Sequence, residues 1–141
     1  MTEITFTVYG KAQPAGSKTP GRTKDGRMFV RDSARKGAPW RRQVAQAAGE
    51  AMNGTGLLDG PLSLTVRFWV PRPKGHYGVR GLRPSAPPYP AVRPDVTKLL
   101  RAVEDALTGI VWRDDAQVIF QHALKGYGEP ARAEVEVFTI G

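Results

Sequence analysis

Residues 93–118, RPDVTKLLRAVEDALTGIVWRDDAQV, decide how this chain is to be read. Val96, Leu99, Leu100, Val103, Ala106 and Leu107 recur at i, i+3, i+4, i+7, i+10 and i+11, which draws a single apolar stripe along a helix. Thr97, Lys98, Arg101, Glu104 and Asp105 share the other face. Asp95 stands just before the first apolar residue, the N-cap position, where a carboxylate is stabilised by backbone N–H groups that lack a helical partner. A helix of about 13 residues, roughly 20 Å long, with one apolar stripe has to bury that stripe against a second layer.

Strands on either side supply the layer. Leu62, Leu64, Val66, Phe68 and Val70 alternate with Ser63, Thr65, Arg67 and Trp69, and this long strand stops at Pro71-Arg72-Pro73. Ile4, Phe6 and Val8 alternate with Thr5, Thr7 and Tyr9 in the same way and predict a first strand over residues 3–9. Pro39 suits a helix first turn, and Trp40, Val44, Ala47, Ala48 and Ala51 follow at helical spacing until Asn53-Gly54 ends the pattern. The C-terminal part reads as a hairpin: residues 117–124, a turn through Gly126-Tyr127-Gly128, then residues 131–140. The expected architecture is α+β, a single domain over residues 1–141, with the two amphipathic helices packed on one face of a mixed or antiparallel sheet.

Two segments break this regularity. Residues 10–36 form a basic loop with some order, because Asp25-Gly26 predicts a hairpin turn that leads into a short strand at residues 28–30. Residues 71–94 form a second basic loop, too rich in Pro and Gly for regular structure and longer than a compact domain keeps without a use. Lys18, Arg22, Lys24 and Arg27 in the first loop are candidate DNA contacts. So are Lys74, Arg80, Arg83 and Arg93 in the second, interleaved with His76, Tyr77 and Tyr89, which could stack on exposed bases. Composition by itself also fits a flexible, solvated excursion.

Charge and residue usage narrow the partners. Lys+Arg number 21 against 13 Asp+Glu, a net charge of +8 that attracts a polyanion before any specific contact forms. No apolar run approaches the roughly 20 residues of a membrane span. The first residues carry no basic region followed by an apolar block, so the protein is expected to remain in the compartment where it is made, away from membranes. Cysteine is absent, which excludes disulfides and thiolate metal sites and leaves carboxylates, His76 and His122 as metal ligands.

In this basic chain the acidic side chains gather at Asp95, Glu104, Asp105, Asp114 and Asp115. Spacing leaves two readings open. Asp95 can be a cap, Glu104 and Asp105 a solvated helix face, and Asp114-Asp115 a turn; or these carboxylates are hard oxygen ligands for a magnesium ion that activates water against a phosphodiester. The second reading needs Asp95 and Asp115 about 4 to 6 Å apart. That holds within one chain if the strand after the helix starts beside the helix N-terminus.

The order PDVTKLLRAVEDALTG then VWRDDAQV resembles the signature of the RusA family of Holliday junction resolvases of phages and prophages. VYGKAQPAGSKT, GRMFV and PRPKGHYG resemble that family too, so the resemblance covers nearly the whole chain. It implies a homodimeric endonuclease that resolves branched DNA by paired symmetric nicks, using magnesium or manganese, in the cytoplasm of a bacterial or phage-infected cell. Asp95 then matches the first metal-binding aspartate and Asp115 the later one, with Asp114 its acidic neighbour. Arg101 matches a basic residue implicated in catalysis, and Lys98 lies one turn before it; either could stabilise charge on the transferred phosphate. Thr97 departs from the pattern, standing where the family has the second aspartate of an Asp-x-Asp pair. The resemblance therefore implies one of two proteins: a nuclease whose coordination is completed by Asp114 or by a water on Thr97, or a junction-binding protein that does not cut. His76 and His122 receive no role.

Overall fold

The computed structural model describes residues 2–16 and 18–141, apart from the side chains at 18–20 and 29–34. In chain order the elements are β1 (Glu3–Tyr9), β2 (Lys18–Arg22), β3 (Met28–Asp32), α1 (Ala38–Met52), β4 (Leu62–Val70), β5 (Tyr77–Gly78), β6 (Gly81–Leu82), α2 (Val96–Leu107), β7 (Val118–Tyr127) and β8 (Arg132–Thr139). The main sheet has four strands in the order β1-β8-β4-β7, with β8 antiparallel to both its neighbours and β4 parallel to β7. The architecture is the expected α+β, with a mixed sheet.

Period-two alternation carries the core. Ile4, Phe6 and Val8 sit opposite Val137, Val135 and Ala133, which in turn sit opposite Leu64, Val66 and Phe68, so one face of the sheet is apolar across three strands. Trp40, Val44, Ala48 and Met52 of α1 and Leu99, Leu100, Val103, Ala106 and Leu107 of α2 join the same buried cluster. At roughly 1.5 to 3 kcal/mol for each large aliphatic or aromatic side chain, this shared cluster is what holds the helices to the sheet. α1 starts with Pro in its first turn and ends at Asn53, whose φ of 47° is the left-handed cap expected from Asn-Gly.

The C-terminal hairpin does not form. β7 and β8 are separated by β4, and the segment between them passes over the end of β4, where the Gly128 N–H donates to the Val70 carbonyl at 3.0 Å. Crossing one intervening strand needs about 10 Å, which four residues span easily. The parallel β4–β7 pair needs a long crossover, and residues 71–117 with α2 supply it. Residues 71–94 are also more regular than their composition predicts, with a 3-10 turn at Lys74–His76 and the small β5–β6 hairpin. In the first loop, Gly26 takes φ 89° at the expected turn, and β2 pairs with β3 as a separate ribbon. Among the described residues no helix is long and apolar enough to cross a membrane.

Candidate active site

Asp95 caps α2, its Oδ1 accepting from the Lys98 N–H at 2.9 Å. The segment before α1 packs beside it, with the Ala15 N–H donating to the Lys98 carbonyl at 2.9 Å. Lys11, Gln13, Arg93, Asp95 and Lys98 thereby line a cleft of about 550 Å³. Three cationic side chains and a helix N-terminus around one carboxylate make this cleft attractive to an anion such as a phosphate. Lys11 and Gln13 escape sequence reasoning because nothing in their spacing links residues 11–14 to a helix that begins at Val96.

At the other end of α2 the chain turns through a compact knot. Trp112 is fully buried, its indole N–H donating to Thr108 Oγ1 at 3.0 Å. Gln117 then organises the acidic turn. Its Oε1 accepts from the N–H groups of Arg113 and Asp114 at 2.9 and 3.1 Å, while its Nε2 donates to the carbonyls of Leu58 and Gly60 at 3.0 Å each. Asp114 is spent on structure, its Oδ1 capping the 3-10 turn Asp115–Gln117 through the Ala116 N–H at 2.9 Å. The exposed Asp115 carboxylate accepts no hydrogen bond from the described residues.

Strand direction separates these two ends. Gln121 of β7 hydrogen-bonds Glu104 of α2, and further along β7 the Lys125 ammonium donates to the carbonyls of Val92 and Pro94 at 2.7 and 2.9 Å. β7 thus runs antiparallel to α2 and starts at the helix C-terminus. Asp115 lies near enough to Glu104 for its charge to raise that carboxyl, and Glu104 is nine residues and about 13 Å of helical rise beyond Asp95. Within one chain Asp95 and Asp115 are therefore not brought together, and among the described residues no three Asp, Glu or His side chains are placed to hold a metal ion. The described residues of one chain do not by themselves form a metal centre.

Glu104 corrects a second expectation. It is half-buried rather than a solvated face, and burial pushes its carboxyl above the usual glutamate range. The hydrogen bond from Gln121 opposes that rise, the charges of Asp115 and Asp105 add to it, and Arg101 opposes it. The spacing Thr97, Arg101, Glu104 puts all three on one face, but only the position of β7 reveals that Glu104 is covered.

The remaining candidates lie around this frame. Arg101 and Thr97 are exposed on α2. Arg22, Lys24 and Arg27 are exposed around the β2–β3 turn, where Arg27 pairs with Asp25 at 3.4 Å. The hydroxyl of Thr23, followed by the Arg27 N–H, holds the Asp25 carboxyl below its usual range. The Lys18 side chain lies outside the described residues. Lys74, Arg80 and Arg83 are exposed beside the β5–β6 hairpin.

Cationic side chains around a helix N-terminus can hold a phosphate group. Residues 6–138 match the family model described as Endodeoxyribonuclease RusA, and the chain belongs to that family. It is also similar to the uncharacterized protein YqaN of Bacillus subtilis (strain 168), 31% identical over 143 residues that cover 99% of both chains.

Proposed function

We propose that this protein is a structure-specific endodeoxyribonuclease that binds four-way DNA junctions as a homodimer and resolves them by paired nicks, in the cytoplasm of a bacterial or phage-infected cell. The observation that carries the reading is the family match over residues 6–138, supported by Asp95 in its cleft of Lys11, Arg93 and Lys98. The cleft residues hold a DNA phosphate against the first turn of α2, and Arg101, one turn further, stabilises charge that develops on it. Lys18, Arg22, Lys24, Arg27, Lys74, Arg80 and Arg83 take the flanking backbone.

The separation of Asp95 from Asp115 is reconciled by two protomers sharing each site. β7 is a free edge of the sheet and exposes Ile119 and Phe120 at 64% and 56%, an apolar edge that proteins seldom leave bare. Antiparallel pairing of two β7 edges about residues 119–122 sets the start of one strand beside the end of the other. Asp115 of one protomer then approaches the Asp95 end of its partner. Magnesium or manganese held between them would neutralise the phosphodiester and polarise the attacking water.

Mixing inactive variants tests this. Asp95→Asn and Asp115→Asn should each lower junction cleavage by about 10³-fold or more while retaining binding. A mixture of the two should regain nicking, because one site of the mixed dimer then holds both native aspartates. Mixtures as inert as either parent would overturn the shared site. Thr97 favours a second reading, a junction binder that does not cut, since a hydroxyl replaces a carboxylate at the Asp95 end. If the natural chain is inert with magnesium or manganese and Thr97→Asp gains cleavage, that second reading holds.

A further inference from the structure

The β5–β6 hairpin is a two-residue-a-side ribbon, of a size that does not hold its shape alone in water. Here its root is fixed from several directions. The Arg83 N–H donates to the His76 carbonyl at 2.8 Å, and the Arg83 guanidinium folds back on the Tyr77 carbonyl at 3.3 Å. Arg72 donates to the Pro87 carbonyl at 2.7 Å and lies 4.3 Å over the ring of Tyr127, and His76 meets that ring edge-on at 5.4 Å. Tyr127 is two residues, about 7 Å, along β7 from Lys125, which holds the segment leading to Asp95. Hairpin and Asp95 cap are moored to the same end of one strand.

What this fixed ribbon presents is apolar. Val79, in its turn, is fully exposed (107%), and Leu82 is 51% exposed, although neither serves the core. Lys74, Arg80 and Arg83 surround them, and residues 71–94 contain no Asp or Glu. We infer that Val79 and Leu82 form a wedge that enters the base stack where a DNA junction branches, with Arg80 and Lys74 on the flanking phosphates. The all-basic surround selects a polyanion as the occupant, and the rigid root lets the tip enter without an ordering cost. Apolar side chains placed between base steps are a general way for proteins to open and bend DNA, and unstacking costs least where pairing is already interrupted. The tip therefore distinguishes a branch point from continuous duplex, which basic residues alone do not. This inference rests on the branched-DNA reading above.

The test compares the full-length protein with the double variant Val79→Ser/Leu82→Ser, both without divalent metal. The DNAs are a four-way junction carrying 2-aminopurine beside the crossover and a linear duplex made from the same arms. The native protein should prefer the junction and raise the fluorescence. The double variant should lose about tenfold or more in junction affinity, change little on duplex, and leave the fluorescence flat. Both side chains are exposed, so the fold should survive, and Val79→Leu with Leu82 retained should restore the signal. A double variant that matches the native protein in preference and fluorescence overturns the wedge and leaves the branched-DNA reading standing. Equal native affinity for junction and duplex overturns that reading, and the wedge with it.

Discussion

The two ends of α2 carry aspartates in opposite surroundings. At the N-terminus, Asp95 is a cap among Lys11, Arg93 and Lys98, held from below by Lys125. Past the C-terminus, Asp115 sits on a turn fixed by Gln117, and its charge acts on the half-buried Glu104. The first end suits an anion; the second is an accumulation of negative charge that suits a cation or a cationic partner. Neither is a complete site, and the two are complementary. In the proposed reading, a helix that keeps such halves apart makes the chemistry they share depend on a second copy, and the protein would be inert as a monomer.

Loosening each end separately sharpens this contrast. Gln117→Ala removes two acceptor and two donor bonds from the acidic turn. With each of the four bonds contributing about 0.5 to 1.5 kcal/mol, the loss should be about 2 to 6 kcal/mol, read as a lower denaturation midpoint. Cleavage should fall further than the folded fraction does, because Asp115 loses its fixed position, while DNA binding at the Asp95 end is kept. Should DNA affinity fall in parallel with cleavage, the ends are not independent and the contrast breaks.

Lys125→Met is the matching change at the other end. The methionine keeps the stem packing but drops the two bonds to Val92 and Pro94. About 1 to 3 kcal/mol of stability should go. Here DNA affinity should weaken, since the cleft around Asp95 rests on the segment that Lys125 holds. Unchanged junction affinity at equal salt would show that the mooring is structural alone.

How far these ends were legible in the sequence differs in the same way. The Asp95 cap follows from one residue and the helix behind it, and β1, β4 and both helices follow from apolar periodicity, because each is a local pattern. The C-terminal hairpin fails because Gly126 and Gly128 report that the chain reverses there, and a reversal does not say which strand will lie alongside. Asp115 lies far from Asp95 for a related reason: the direction of β7 relative to α2 is set by which strand pairs with β4. The roles of Gln117 and Lys125 depend on carbonyls more than 30 residues away. No spacing rule reaches that far.

The smallest expected effect is also the most specific to the acidic end. With its pKa raised in the folded protein, Glu104 favours folding when protonated. Below the ordinary glutamate range both folded and unfolded chains carry the proton, and that contribution is complete. As pH rises from that range through the raised folded value, the unfolded chain releases its proton more readily and the contribution is lost. Glu104→Gln stays neutral throughout and can still meet Gln121. It should therefore melt about 1 to 3 °C above the native protein near pH 7, with the difference shrinking towards pH 4. Asp115→Asn removes one of the charges that hold the Glu104 carboxyl up, so it should move the same pH-dependent difference in the same direction by less. A gap between Glu104→Gln and the native protein that stays constant from pH 4 to 7 would mean that burial does not hold the Glu104 carboxyl up, and no pH-dependent difference for Asp115→Asn would mean that the two carboxylates do not share a field.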